Sequence, residues 1–365
     1  MVETGEGLSI AITHHFVDRG EYPEGKILLE KAKELGIDVV RTHPRWKVII
    51  PEPGQVNREY LVRYVDYAKQ AQDLGMENYI ILSDPPERAI EKAKENPKAV
   101  LDEYHLYLET LKQALEEKGV KATMFQIFNE LNTAYTPKVF IEQLPAYCQA
   151  VRDIFGPEVE LSITLATADL LRLAEHFPGS KFQTFANFLR EHEGVLKSCK
   201  LDSLGINFYP GLYNLPKKVL YKDMAKDLEE LKKSIILASE LLEKKVKIEV
   251  AEVGFPLAFE NLRSGLKNFG RLQRWAYDNF ARAFVQMIHE LQEEHQISIS
   301  GLAFYQLGIH KEIEPVLKFG LYNDQGEARG VTGSHKKAGR QNPQTEASDS
   351  QLAFIIRYLK KFSSQ

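Results

Sequence analysis

The sequence predicts an α/β protein, a single (β/α)8 TIM barrel, and three observations carry that expectation. Short apolar runs alternate with longer segments in which apolar residues recur at helical spacing. Eight such pairs are spread over 365 residues. Gly36, Gly75 and Gly119 each stand between a helical segment and the next apolar run, where glycine takes the left-handed helix-ending conformation at no steric cost. This alternation builds a parallel sheet, and eight units close it into a barrel.

In chain order, the first strand begins near Leu8 (LSIAIT) and is followed by a helix over Gly25–Leu35. The second begins near Asp38 (DVVRT) before Arg58–Leu74, the third near Asn78 (NYIIL) before Pro97–Lys118, and the fourth near Thr123 (TMFQIF) before Pro137–Phe155. The fifth, near Glu160 (ELSIT), precedes Ser180–His192; the sixth, near Ser203 (SLGINF), precedes Tyr221–Lys244; the seventh, near Lys247 (KIEVAE), precedes Phe269–His295. The eighth begins near Ile299 (ISGLAFYQ), and the last helix spans Ser350–Lys361. Thr332–Asp349 is polar and rich in Gly, Ser and Asn, the composition of a long loop between the eighth strand and the last helix. No linker divides residues 1–365, so one catalytic barrel domain is expected.

Composition narrows the function. Apolar residues make up 44% and charged residues 27% of the chain, the balance of a protein with a large core. Lys and Arg total 47 against 51 Asp and Glu, a net charge of -4 without a dense basic tract, which argues against a nucleic-acid partner. Cys148 and Cys199 form no CxxC or Cys/His cluster, so neither a disulfide framework nor a zinc site is expected; they read as buried thiols. Residues 1–7 carry no cationic segment ahead of an apolar stretch, and no apolar run reaches the length of about 18 residues that a membrane helix needs. The expectation is a soluble chain, with no membrane partner and no signal peptide as given, cytoplasmic or secreted with the signal removed.

Catalytic groups of barrel enzymes sit at the C-terminal strand ends. Glu130 closes Met-Phe-Gln-Ile-Phe-Asn-Glu on the fourth strand and Glu252 closes Ile-Glu-Val-Ala-Glu on the seventh. A carboxylate at an apolar strand end is costly unless paired or used. Strands four and seven face each other across the mouth of an eight-stranded barrel, and two carboxyl groups there invite divided roles, one protonated donor and one ionised nucleophile or base. Glu249 competes for the second role, but it precedes the strand end by three residues, and strand alternation turns it to the opposite face.

In these motifs the chain resembles the clan A retaining glycoside hydrolases with (β/α)8 barrels, which include cellulases, mannanases, β-xylosidases and β-glucosidases. Phe128-Asn129-Glu130-Leu131-Asn132 resembles the clan's fourth-strand motif, which implies Glu130 as acid/base and Asn129 as ligand of the sugar 2-hydroxyl. Glu252-Val253-Gly254-Phe255-Pro256 resembles the seventh-strand nucleophile motif. Arg41 resembles the arginine that keeps the nucleophile ionised, Trp46 with the following Pro-Glu-Pro-Gly resembles the loop after it, and Asn207-Phe208-Tyr209-Pro210 resembles the sixth-strand motif whose tyrosine bonds the nucleophile. Where many members carry an eighth-strand tryptophan, this chain has Phe304-Tyr305-Gln306, and Tyr305 is the residue expected to stack on sugar. His14 completes the expected substrate-binding set, near His15 and His43.

The resemblance implies a retaining β-glycosidase that hydrolyses or transfers β-linked oligo- or polysaccharide without a cofactor or metal. Two alternatives stand beside it. His14, His43, Glu130 and Glu252 are residue types that bind metal in barrel hydrolases and sugar isomerases, although their spacing matches no recognised ligand set. A non-catalytic carbohydrate-binding barrel is the other, since fold does not fix function.

Overall fold

The computed structural model describes residues 8–14, 23–133, 136–167, 183–209, 224–242, 246–254, 269–305 and 351–362. Eight strands form a closed parallel barrel in sequence order: β1 (Ser9–His14), β2 (Val39–Thr42), β3 (Glu77–Leu82), β4 (Met124–Ile127), β5 (Glu160–Ala166), β6 (Ser203–Phe208), β7 (Lys247–Val253) and β8 (Ile299–Tyr305). β1 pairs with both β2 and β8, so no sheet edge is left open. The main core lies between the barrel and its helical jacket, where the outward residues of the strands meet the apolar faces of the helices.

Helix ends follow local chemistry. Asn57 and Asn96 cap the helices Arg58–Asp73 and Pro97–Glu117 by accepting from Tyr60 N and Ala99 N, 3.1 Å each. Gly36, Gly75 and Gly119 take φ values of +87°, +71° and +66°, as their positions predict. Four elements depart from expectation. The segment expected as one helix from Pro137 is two, Lys138–Glu142 and Leu144–Phe155, because Pro145 stands at the second position of the latter and cannot continue a helix from before it. The helix expected from Ser180 begins instead at Phe185, where Thr184 caps Asn187 N at 3.2 Å, and it runs on to Ser198. Two helices, Trp46–Ile49 and Glu87–Glu95, are additional. The expected loop over Thr332–Asp349 lies outside the described residues.

The barrel interior holds two groups of polar side chains. Near the mouth, Thr13, Arg41, Gln126, Thr164, Asn207 and Glu252 are all buried. Deeper, toward the N-terminal strand ends, Tyr79, Ser162, Ser203 and Glu249 make a second polar group beside Ala11, Val39 and Ala303.

A β-bulge in β7 sets this arrangement. Gly205 pairs with Glu249 and Asn207 with Glu252, so Val250 and Ala251 stand opposite Ile206 alone. One extra residue reverses side-chain parity beyond it. Glu249 and Glu252 therefore share the inner face, which corrects the expectation that Glu249 points outward: alternation fails where the ladder gains a residue. Gly205 makes room for the bulge, since a Cβ there would lie 2.7 Å from both Ala251 Cβ and Thr164 Cγ2. Gly205→Ala is expected to destabilise the fold by about 1–3 kcal/mol through overpacking. Chemical denaturation checks this; an alanine variant as stable as wild type would mean that the bulge is not held by this contact.

Candidate active site

β4 ends at Ile127, three residues before Glu130. The chain leaves the strand through two residues in the left-handed region, Phe128 (φ 57°) and Glu130 (φ 48°). Neither is glycine, and such backbone costs on the order of 1–3 kcal/mol each. The surroundings hold it in place: Phe128 N donates to Leu82 O (3.0 Å), Leu131 N to Thr164 O (3.0 Å), Glu130 N to Thr164 Oγ1 (3.0 Å) and Thr133 N to Glu130 O (2.8 Å). The twist sends the Phe128 ring outward against Phe140 and Tyr147. Asn129 and Glu130 sit, partly exposed, within a hydrogen-bonded network at the barrel mouth.

Asn129 is oriented from behind. Its Oδ1 accepts from Thr164 Oγ1 (2.9 Å), Gln126 Nε2 (3.0 Å) and Asn207 Nδ2 (3.5 Å), which leaves Nδ2 as its remaining donor, without a partner among the described residues. Glu130 Oε1 accepts from Asn207 Nδ2 at 3.0 Å. Burial, reinforced by the charge of Glu252, pushes the Glu130 carboxyl up to about 7, against the opposing pull of the Asn207 bond.

Glu252 stands in the opposite environment. Arg41, with no exposed surface, reaches its Oε1 at 3.2 Å through Nη1 in a buried ion pair. The Tyr209 hydroxyl donates to Oε2. Arg41 is itself fixed by Thr13 Oγ1 (2.7 Å), by Gln126 Oε1 and by the Ala251 carbonyl at the β7 bulge. A guanidinium stays charged in any protein environment, so Glu252 faces a fixed cation while the Glu130 carboxyl is biased toward its acid form.

Several expected residues are placed differently. Trp46 was expected beside substrate, yet it is fully buried, stacked on Tyr107 (centroids 5.9 Å apart) and edge-on to Tyr104 (5.3 Å). The correction has a packing cause: the ring fills the space between the barrel and the helix Pro97–Glu117, where its apolar area leaves water. Tyr305 is also buried and meets Tyr209 edge to face at 5.6 Å, so in this structure it braces the tyrosine that bonds Glu252 and offers little surface for stacking on a sugar. His14 ends β1, but its side chain lies outside the described residues, as do His15, Pro210, Phe255, Pro256 and Gln306. His43 pairs with Ser83 Oγ through Nε2 at 2.7 Å. Among the described residues, no three His, Cys, Asp or Glu side chains converge as a metal site requires, and no helix is long and apolar enough to cross a membrane.

Gln126 and Thr164 tie Asn129, Glu130 and Arg41 into one network, and sequence reading missed both. Their signal was a polar residue at an inward position of an otherwise apolar strand, where a lone polar group is costly. Cys148 and Cys199 are free and buried, as expected, and Cys199 Sγ donates to the Val195 carbonyl at 3.2 Å.

No family model and no curated protein sequence matches the chain. Solved structures do, at low identity. An exo-β-1,4-mannosidase from Opitutaceae bacterium strain TAV5 superposes with a TM-score of 0.63 and 14% identity over 97% of this chain, which spans 59% of the mannosidase. A GH1 β-glucosidase from Exiguobacterium antarcticum B7 matches with a TM-score of 0.63 and 15% identity, over 97% of this chain and 98% of that one. The chain has the barrel fold of these glycosidases. An endo-β-1,4-mannanase from Thermotoga petrophila shares it at a TM-score of 0.58 and 15% identity, over all of this chain and 78% of its own.

Proposed function

We propose that this protein is a retaining β-glycosidase acting on β-linked oligo- or polysaccharide, with Glu130 as acid/base and Glu252 as nucleophile. The observation that carries the reading is the division of the two carboxyl groups: Glu252 is paired with Arg41 and Tyr209, whereas Glu130 is pushed up to about 7 by burial and by Glu252 itself. Glycoside cleavage by double displacement needs one protonated and one ionised carboxyl group in one cleft.

In the first step the Glu130 O–H gives its proton to the glycosidic oxygen as the bond to the anomeric carbon breaks, and a Glu252 oxygen forms the new bond to that carbon. The aglycone leaves and the nucleophile becomes a neutral ester. In the second, the Glu130 carboxylate takes a proton from water, or from a sugar hydroxyl in transfer, whose oxygen displaces Glu252 and restores both groups. Asn129 Nδ2, the open donor beside Glu130, bonds the sugar 2-hydroxyl; Asn207 holds the Glu130 carboxyl in line. Tyr305 acts from behind, by bracing Tyr209 against Glu252.

Hydrolysis of a panel of aryl β-D-glucosides, mannosides and xylosides, with β-1,4-mannan and β-glucan oligomers, tests the assignment, and product NMR reports retention. Silence across the panel, or inverted product, overturns it. The pH dependence follows in sign: Glu130 must be protonated to donate, so kcat/KM falls about tenfold per pH unit above a limb near the Glu130 value of about 7. An alkaline limb absent below pH 9 would contradict Glu130 as the acid.

A further inference from the structure

Glu249 is a third carboxyl group inside the barrel, one that double displacement does not use. The β7 bulge turns it to the same inner face as Glu252. Its Oε1 accepts from the Tyr79 hydroxyl (2.6 Å) and from Ser203 Oγ (3.2 Å), and Ser162 Oγ bonds the same phenol. The Arg41 guanidinium carbon lies 5.3 Å from the centroid of the Tyr79 ring, so one aromatic residue touches both the arginine and the carboxyl. Two glycines open the space: a Cβ on Gly205 would come within 3.4 Å of Glu249 Oε1, and one on Gly301 within 3.6 Å of Oε2.

The charges facing Glu249 come from four strands besides its own. Burial pushes the Glu249 carboxyl above the usual carboxylate range, against the pull of the Tyr79 hydroxyl on β3, the Arg41 guanidinium on β2 and the Ser203 hydroxyl on β6, and Glu160 on β5 adds to the rise. Glu160 is itself paired with Lys247, at the start of β7, at 3.4 Å. Two hydroxyls donating to one oxygen favour the carboxylate, and the field of Arg41 acts in the same direction.

Arg41 has no exposed surface and cannot discharge. Glu252 is its partner only while ionised, and the glycosyl ester removes that charge. An isolated buried cation is far costlier than a paired one.

We propose that Glu249 is the second counter-anion of Arg41, a positioning residue that balances the arginine whenever Glu252 is neutral. The charge pairing stands apart from the glycosidase reading; only the moment at which Glu252 becomes neutral rests on it. On that reading the count closes: Arg41, Glu252 and Glu249 sum to one negative charge before attack, and Arg41, Glu249 and the deprotonated Glu130 sum to the same in the ester.

A melting cycle tests the pairing without any substrate. Glu249→Gln and Glu252→Gln keep the shape and the acceptor oxygen, so each alone leaves Arg41 one anion. The double variant leaves none and is expected to melt at least about 5 °C below the sum of the two single losses, or not to fold. Adding Arg41→Met removes the stranded cation and restores folding. Additive losses, or a double variant that Arg41→Met does not rescue, overturn the proposal.

A kinetic arm addresses its use in turnover. With 2,4-dinitrophenyl β-glycosides, Glu249→Gln lowers kcat/KM about tenfold, about 1.4 kcal/mol of transition-state stabilisation lost as Glu252 gives up charge. Meanwhile kcat, set by breakdown of the ester, does not fall, because the ester itself is destabilised. Equal losses in both overturn the catalytic use. If wild-type protein cleaves no glycoside, the glycosidase reading fails alone, and the melting cycle still decides the pairing.

Discussion

Glu252→Ala is expected to abolish hydrolysis of aryl β-glycosides, a loss on the order of 10⁵-fold or more in kcat, as for removal of the nucleophile in other covalent mechanisms. Sodium azide restores turnover, and the structure explains why. Alanine empties a carboxylate-sized space lined by Arg41 and the Tyr209 hydroxyl, two donors already arranged for an anion. Azide in that space attacks the anomeric carbon directly while Glu130 still protonates the leaving oxygen. One displacement replaces two, so the glycosyl azide has inverted configuration. NMR of the product decides: a retained azide, or a variant near the wild-type rate, removes Glu252 from the role of nucleophile.

Glu130→Ala is expected to divide substrates by leaving group. Loss of a positioned acid costs roughly 10²–10⁴-fold, and that cost falls on poor leaving groups such as sugars. A 2,4-dinitrophenolate departs without a proton, so the ester still forms, then persists because no base activates water. A burst of phenol is followed by slow turnover, and azide relieves the slow step with retained configuration, the converse of the Glu252 variant. The alkaline limb near pH 7 disappears with the carboxyl that sets it. Uniform loss across leaving groups would mean that Glu130 is not the proton donor. Together the two azide products assign the roles independently of one another.

Much of this was legible in the chain because its causes are local. Helix-ending glycines, asparagine caps and the alternation of apolar runs are properties of a few consecutive residues, and they mark every strand of the barrel to within about three residues. Glu130 and Glu252 stood out for the same reason, as charges at the ends of apolar strands. Other features depend on neighbours distant in sequence. Trp46 could line a cleft or fill a core with equal local plausibility, and only the helix Pro97–Glu117 packed over it decides for the core. Gln126 and Thr164 are unremarkable until the barrel brings them between Asn129 and Arg41.

Glu249 shows where sequence logic reaches its limit. Strict alternation is a sound rule for a regular strand, and under it Glu249 and Glu252 face apart. The bulge reverses that parity, and it is defined by pairing with β6, where Gly205 admits the close approach of Ala251. The amino-acid sequence by itself thus determined the barrel, its strand order and the two carboxyl groups at its mouth, since hydrophobic period and capping chemistry act over neighbouring residues. Only the tertiary structure decided which of those groups is paired and which is raised, and that a third carboxyl lies beneath them, because charge, burial and register are set by residues that meet only when the barrel closes.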